Sequence, residues 1–409
     1  MSVNVGTVER GRLADLVRPS FLAWAGIALG ALAFWLVLPP LTVRSPLVPL
    51  AVGGLGVAAG LWSQRLGVSR RLAWSAVAAA VLGIALGWLG TRSSVDSLEL
   101  AFVWSALIAA TFRAATPLTF AALGGIFSER SGVVNIGLEG MLLMGAFFGF
   151  LGADKLGDWR WGILAGIVAG AALALVHAFI SIHLRADQIV SGFAVNFLAL
   201  GITGYFFIEV YTDQGTPGDI SNIPSVSLTW LGIPEDSFVD KAFGDWNLLI
   251  WVAIAFVVIS YFVLFRTPMG LRLRSVGEHP KAADTVGISV YATRYGAVVL
   301  SGALAGIGGV YLSNGSTHAF SENMSAGRGF IALAAVIFGR WAPFGAFAAC
   351  LLFGFTEALA LRLPGAYGED AAWTTLFRAL PYVVTLIVVA GVVGRSVPPA
   401  ADGRPYVKQ

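Results

Sequence analysis

Along this chain, apolar positions come in long runs joined by short polar segments. Runs near 20–38, 47–62 and 72–90 approach the roughly 20 residues a helix needs to cross a hydrocarbon core, and three spans are predicted there. Residues 100–115 are apolar but carry Arg113 and stop just before Pro117, which predicts an interfacial or re-entrant helix. Two shorter elements are expected at 116–131 and 133–152, then spans near 160–184, 188–210 and 246–266. Between the last two, residues 211–245 are rich in Pro, Gly, Asp and Ser, as a solvated outer loop should be. A charged segment follows to about 290, and spans near 293–313, 327–341, 342–361 and 372–394 complete the pattern.

Polar residues interrupt this pattern most densely at Leu123 to Ala146, LGGIFSERSGVVNIGLEGMLLMGA. An ionised side chain at the centre of a membrane helix costs about 2.5–3.5 kcal/mol even on an insertion scale, so Glu129, Arg130 and Glu139 should face protein or a water-filled route. Gly124, Gly125, Gly132 and Gly137 weaken the helix locally. Irregular backbone is tolerated at this depth only where protein or a cavity surrounds it. A discontinuous element is therefore predicted. If a helix restarts after Ser131, Asn135 and Glu139 share one face and Val134, Leu138 and Leu142 turn toward lipid or neighbours. A second interruption, Gly339 to Pro343, again places charge and helix breakers between apolar halves, as in transporters with broken helices. Gly56 and Gly60, Gly166 and Gly170, and Gly302 and Gly306 are spaced for close helix packing.

Composition narrows the class. With 57% hydrophobic and 12% charged residues and a mean hydropathy of +0.79, the chain is read as an all-α polytopic membrane protein lying in a lipid bilayer. About 10–12 transmembrane segments, with discontinuous helices around a central path, are expected. Cys350 is the only cysteine, which excludes an intramolecular disulfide framework or a cysteine-rich metal site. A net charge of +3, spread along the chain, gives no support to a nucleic-acid partner. The polar start, MSVNVGTVERGRLADLVRPS, has no small-residue cleavage site after it, so a retained anchor is expected.

Counting from an inside start, the inner segments hold 17 basic residues and the outer segments 7, Arg328 among the latter. That bias predicts both termini in the cytoplasm.

Candidate chemistry is sparse. Asn135 and Glu139 offer a donor and acceptors suited to a polyhydroxylated or heterocyclic solute, or they brace two helices through a buried hydrogen bond. Asn196 lies between Phe193 and Phe197, whose rings either stack on a flat solute or pack as core. Glu357 is a second mid-span acid, with Arg340 or Arg378 as structural partners. The histidines 177, 183, 279 and 318 lack metal-binding spacing, with His318 placed either near an entrance or in a solvated loop. No nucleophile elbow or phosphate-binding loop is present, so any ATP must bind another chain. In the inner loop TPMGLRLRSVGEHPKAADTVGISVY, Ser275 and Glu278 have capping-box spacing, Pro280 suits a first helical turn and Gly287 suits a stop. A cytoplasmic helix of about two turns is predicted, either a docking knob or an ordinary positive-inside loop.

Three segments carry a family resemblance: Thr116 to Phe147, then FRTPMGLRLRSVGEHPKAADTVGISV, then GGVYLSN with GRGFIALAAVIFGRWAPFGAF. Together, over about residues 100–394, they resemble permease subunits of bacterial ABC importers in the branched-chain amino acid, ribose and simple-sugar class. The wording SERSGVVNIGLEG is most similar to the nucleoside-importing branch. The resemblance implies the ABC importer permease fold in the bacterial plasma (inner) membrane. It also implies a heterodimer with a second related permease, two cytoplasmic ATPase subunits carrying ATP and Mg, and an external substrate-binding lipoprotein. No cofactor is expected on this chain, which is a transport subunit and not an enzyme. The family's ATPase-coupling loop falls on Gly277, Glu278, Pro280, Ala282, Ala283 and Gly287, and its polar path element on Asn135, Gly137, Glu139 and Gly140. The expected layout is an amino-terminal extension with three spans at 1–95, a permease core at 96–396 and a cytoplasmic tail at 397–409. The solute is expected to be a nucleoside, with a monosaccharide or branched-chain amino acid as the alternative in the same machine. An ion-coupled secondary transporter is the rival from another class, and a membrane-embedded enzyme a more distant one.

Overall fold

The computed structural model describes residues 19–38, 41–92, 102–212, 215–218, 220–367, 379–380, 383–384 and 396–408. The polar start, Arg378, Arg395 and most of the predicted span at 372–394 lie outside the described residues. By contact the chain divides into two units, 1–103 with 359–395 and 104–358 with 396–409. This grouping joins the tail to the second unit and cuts the expected core at 358.

In the first unit, helices α1 (Pro19–Trp35), α2 (Leu47–Arg65) and α3 (Arg70–Arg92) pack through glycine. A Cβ on Gly56 would stand 2.9 Å from the Gly26 carbonyl oxygen, and one on Gly83 only 2.0 Å from that of Gly30.

The second unit holds α4 (Trp104–Arg130), α5 (Leu138–Leu156), α6 (Trp159–Ala178), α7 (Gln188–Tyr211), α8 (Leu248–Arg266), α9 (Pro268–Glu278), α10 (Pro280–Thr285), α11 (Val290–Val310) and α12 (Arg328–Phe338). Helix α13 (Pro343–Tyr367) begins in it. Strands β1 (Ser225–Val226) and β2 (Trp246–Asn247) form a small antiparallel pair closing the 211–245 loop. Among the described residues, eight helices are long and apolar enough to cross a membrane, and Ser20–Trp35 and Arg328–Phe338 are shorter apolar helices. The chain is thus an all-α polytopic membrane protein.

The core of this unit is a glycine seam. Gly302 faces the Gly170 carbonyl oxygen and Gly306 that of Gly166, each at 2.3 Å from where a Cβ would sit. Gly145 meets Gly306 on its other side. Backbones approach this closely only with hydrogen at those positions, so the predicted spacing means packing here.

Three predicted boundaries are corrected. Pro117 does not end a re-entrant helix; it lies inside the continuous helix α4. Its ring costs the bond to Arg113, but Thr116 Oγ1 donates to Phe112 O at 2.7 Å and Thr119 Oγ1 to Ala115 O at 2.8 Å. Gly308 packs against the Pro117 carbonyl, bringing a neighbouring helix over this turn. Neighbouring helices and Thr hydroxyls are what make Pro tolerable in a membrane helix. Second, the helix restarts at Leu138, so Asn135 lies in the turn before it and shares no helix face with Glu139. Leu138 and Leu142 are fully buried against neighbours, the second of the two surroundings expected for them. Third, the segment at 327–341 holds an 11-residue helix, about 16 Å long, which cannot cross a core of about 30 Å.

Candidate functional site

The break between α4 and α5 is bridged by hydrogen bonds at several points, while Asn135 Oδ1 and Gln188 Nε2 beside it have no partner. Ser128 Oγ donates to Val133 O at 2.7 Å, and Ser131 Oγ to Ser128 O at 2.6 Å. Val134 N donates to Gln188 Oε1 at 2.7 Å, and His177 Nε2 meets Val134 O at 3.1 Å. Gly132 adopts φ +89°, and a Cβ there would stand 2.8 Å from Arg294 Nη2. Irregular backbone survives at this depth because protein satisfies it.

Around the break the predicted polar residues converge. Asn135 Nδ2 donates to Ser301 Oγ at 2.9 Å and approaches Met141 Sδ at 3.4 Å. Asn196 Oδ1 accepts from Gly140 N at 2.8 Å while its Nδ2 donates to Ile136 O at 3.0 Å. Glu139 accepts from Gly327 N at 2.7 Å and from Gly329 N at 2.6 Å, setting a carboxylate at the amino end of α12. These groups clip α5, α7, α11 and α12 together. Phe193 and Phe197 stand apart on the outer face of α7, 44% and 71% exposed, with Phe193 tilted against Phe330 at 6.1 Å.

Among the described residues Glu357 pairs not Arg340 but Arg328; Arg378 lies outside them. Glu357 Oε1 accepts from Arg328 Nη2 at 2.7 Å, because the short α12 starts within reach of the middle of α13. Arg328 Nη1 donates to Met324 O at 3.2 Å. The side chains of this pair remain 25% and 28% exposed. A guanidinium and a carboxylate therefore open together onto the surface between a short apolar helix and one apolar enough to span, a setting in which ionisable residues mark solute routes. Sequence reasoning placed Arg328 in an outer loop. The missed signal was a charge between Gly327 and Gly329 at the head of a run too short to span.

On the face where α4 ends, the predicted coupling loop forms two helices. The true cap of α9 is Thr267, whose Oγ1 accepts from Gly270 N at 3.2 Å, with Pro268 in the first turn. Ser275 is therefore not a cap; its Oγ donates back to Leu271 O at 2.8 Å. Helix α10 starts at Pro280, and Gly287 at φ +84° follows it, as expected of a stop. Glu278, Ala282 and Gly287 point outward, Pro280 is half-buried, and Gly277 and Ala283 are buried. A Cβ on Gly277 would stand 2.1 Å from the Arg130 carbonyl oxygen, so this loop rests directly on the end of α4.

The family model described as branched-chain amino acid transport system / permease component matches residues 107–389. The guanosine ABC transporter permease protein NupQ of Bacillus subtilis is 42% identical over 322 residues, 76% of this chain and 99% of that protein. The nucleoside ABC transporter permease protein NupC of Lactococcus lactis is 40% identical over 310 residues, 72% of this chain and 94% of that protein. The putative glucose ABC transporter permease protein TsgC13 of Haloferax volcanii is 38% identical over 256 residues, 63% of this chain and 77% of that protein. A second guanosine ABC transporter permease of the same Bacillus strain matches more weakly. No solved structure matches.

Proposed function

The chain belongs to the permease-component family of branched-chain amino acid transport systems, and from that premise we propose that it is the membrane subunit of an ATP-driven importer of nucleosides. The carrying observation is the 42% identity to a guanosine permease along 99% of that protein's length. ATP is bound with Mg and hydrolysed on two separate ATPase subunits, and an external lipoprotein delivers the solute. A second related permease completes the path; the two guanosine permeases of one Bacillus strain, both similar to this chain, support that pairing.

Within this chain, the Arg328–Glu357 pair forms the polar wall past which solute moves, and Asn135, Glu139 and Asn196 hold the broken element that frames it. Phe193 and Phe197 offer apolar ring faces on the outer side of α7, apart from that wall. Alternating access is driven from the loop at Gly277, Glu278, Pro280, Ala282, Ala283 and Gly287. Both termini lie in the cytoplasm, following the 17-to-7 bias of basic residues. The three helices α1–α3 precede the family match and form an extension of the permease core.

The test is uptake of radiolabelled guanosine, adenosine, uridine, ribose and glucose in cells with and without the gene. Each assay is repeated with a proton uncoupler and after ATP depletion. Nucleoside uptake that follows ATP is the expected result. The similarity to a glucose permease favours a second reading, and loss of glucose uptake alone would move the assignment to it. Uptake that collapses with the ion gradient while ATP is maintained would overturn the importer reading.

A further inference from the structure

The carboxyl-terminal segment Ser396 to Lys408 is a strap bound at several points, not a free tail. Ser396 Oγ donates to Ile337 O at 3.0 Å, next to the end of α12. Ala400 N donates to Glu278 Oε2 at 3.2 Å, and Ala401 N to Gly277 O at 2.9 Å. Two residues of the coupling loop are therefore held by the strap backbone. Arg294, 1% exposed, donates from Nη1 to Arg404 O at 3.0 Å and from Nε to Ser131 O at 3.2 Å. One guanidinium thus bridges the strap and the broken membrane element. The Tyr406 ring is buried against Val276, Ala283 and Val290, and Tyr291 OH donates to Tyr406 O at 3.4 Å.

Between the strap and α10 lies a groove of about 500 Å³, lined by Glu278, His279, Pro280, Lys281, Arg404 and Tyr406 among others. Its apolar floor is flanked by two exposed cations, Lys281 and Arg404, against one carboxylate, Glu278, whose Oε2 already accepts from Ala400 N, so the walls are net positive. Val407 lines it and is 49% exposed; Val286, directly after α10, and Val397, in the strap, are 75% and 72% exposed. Exposed apolar residues gathered in this way mark a protein contact. Cationic walls favour a segment that presents an acidic residue beside apolar ones.

We propose that the strap is the second wall of the ATPase socket, α10 being the first, and that an apolar segment with an acidic residue from an ATPase subunit seats between them. This rests on the importer reading above. Arg294 is a positioning residue: it transmits the seating of that segment to Ser131, where the membrane helix is interrupted. A socket walled only by the loop would leave the strap without contact to the partner.

The test uses the assembled importer. Cys350 is the only cysteine, so Cys350→Ala is the background for Ala282→Cys and Val407→Cys, each carrying a cysteine-directed photo-crosslinker. Both positions should join to the ATPase subunit. A link from Ala282→Cys with none from Val407→Cys would overturn the strap's role and leave the importer reading intact. Failure of any ATPase to co-purify with the unaltered chain would overturn both. A chain ending at Pro398 should retain about tenfold less ATPase, a shift of about 1.4 kcal/mol in association. Because truncation can impair folding, Arg294→Lys is compared with it. That variant should keep the ATPase bound and lose the stimulation of ATP hydrolysis by solute-loaded binding protein, whereas unchanged stimulation would remove Arg294 from the link.

Discussion

Glu139 and Gly329 are 190 residues apart, yet Glu139 Oε2 accepts the Gly329 amide at 2.6 Å. A Cβ on Gly329 would stand 2.4 Å from Glu139 Cα, so the heads of α5 and α12 are in backbone contact. The carboxylate fills the place of a side-chain cap for α12, which has none of its own. Glu139→Ala leaves the buried Gly329 amide unpaired, at a cost of about 1–3 kcal/mol. Glu139→Gln keeps an acceptor and should lose less. The check is the thermal unfolding midpoint of the purified protein in detergent; equal midpoints for Ala and Gln would show that the acceptor does no capping.

Charge at the Arg328–Glu357 pair should matter to uptake more than to folding. The pair is about one-quarter exposed on each side, so solvent screens it and its loss is milder than that of a fully buried pair. Arg328→Ala and Glu357→Gln should each cut nucleoside uptake at least about tenfold with little change in the amount of inserted protein. The exchange Arg328→Glu with Glu357→Arg restores the attraction but reverses its direction. If uptake needs the guanidinium at its own position, the exchange stays inactive; recovered uptake would make the pair a structural tie.

How far the sequence foretold this arrangement depends on the range of each interaction. The spans at Gln188–Tyr211 and Leu248–Arg266 were legible from hydropathy, and the Gly302–Gly306 seam from spacing, because both are patterns within one helix. Pro117 misled because the rule about proline is local, whereas its tolerance comes from Thr116, Thr119 and Gly308. Ser275 imitated a cap because the motif is short; Thr267 before Pro268 was the stronger start. Glu357 could be singled out as a mid-span acid, but nothing along the chain tied it to Arg328. The strap was least visible, since Ala400 and Ala401 engage through backbone groups common to every residue.

Gly306 permits a test of the seam. A Cβ there would stand 2.3 Å from Gly166 O, inside any real contact distance, and the listener across the seam is backbone that cannot rotate away. Gly306→Ala should therefore destabilise by at least about 1–3 kcal/mol, the usual cost of overpacking. Gly201, with nothing near its Cβ position, is the control, and Gly201→Ala should be neutral. Monodisperse elution from size exclusion reads both. Equal recovery of the two variants would show that α6 and α11 can separate without loss.

Docking of the strap should weaken as pH rises. Burial pushes the Asp402 carboxyl up from 3.8 to about 7, against the opposing pull of the Gly403 amide and of Arg294. The titratable groups that face it are Arg294 and Glu129, and its Oδ1 has no partner. Released from the fold, Asp402 returns to an ordinary value near 3.9. Between about pH 4 and pH 7 the docked strap therefore holds a proton that the released strap gives up. Docking is strongest below that window and declines through it, since stability falls with pH where the native state binds more protons. Asp402→Asn fixes the uncharged form and should flatten the dependence. Hydrogen exchange at the Ala400 and Ala401 amides, corrected for intrinsic rates, reads this directly. Protection should fall between about pH 4 and about pH 7, level off above that in the unaltered chain, and stay constant in the variant. An unchanged slope in Asp402→Asn would assign the titration to another group.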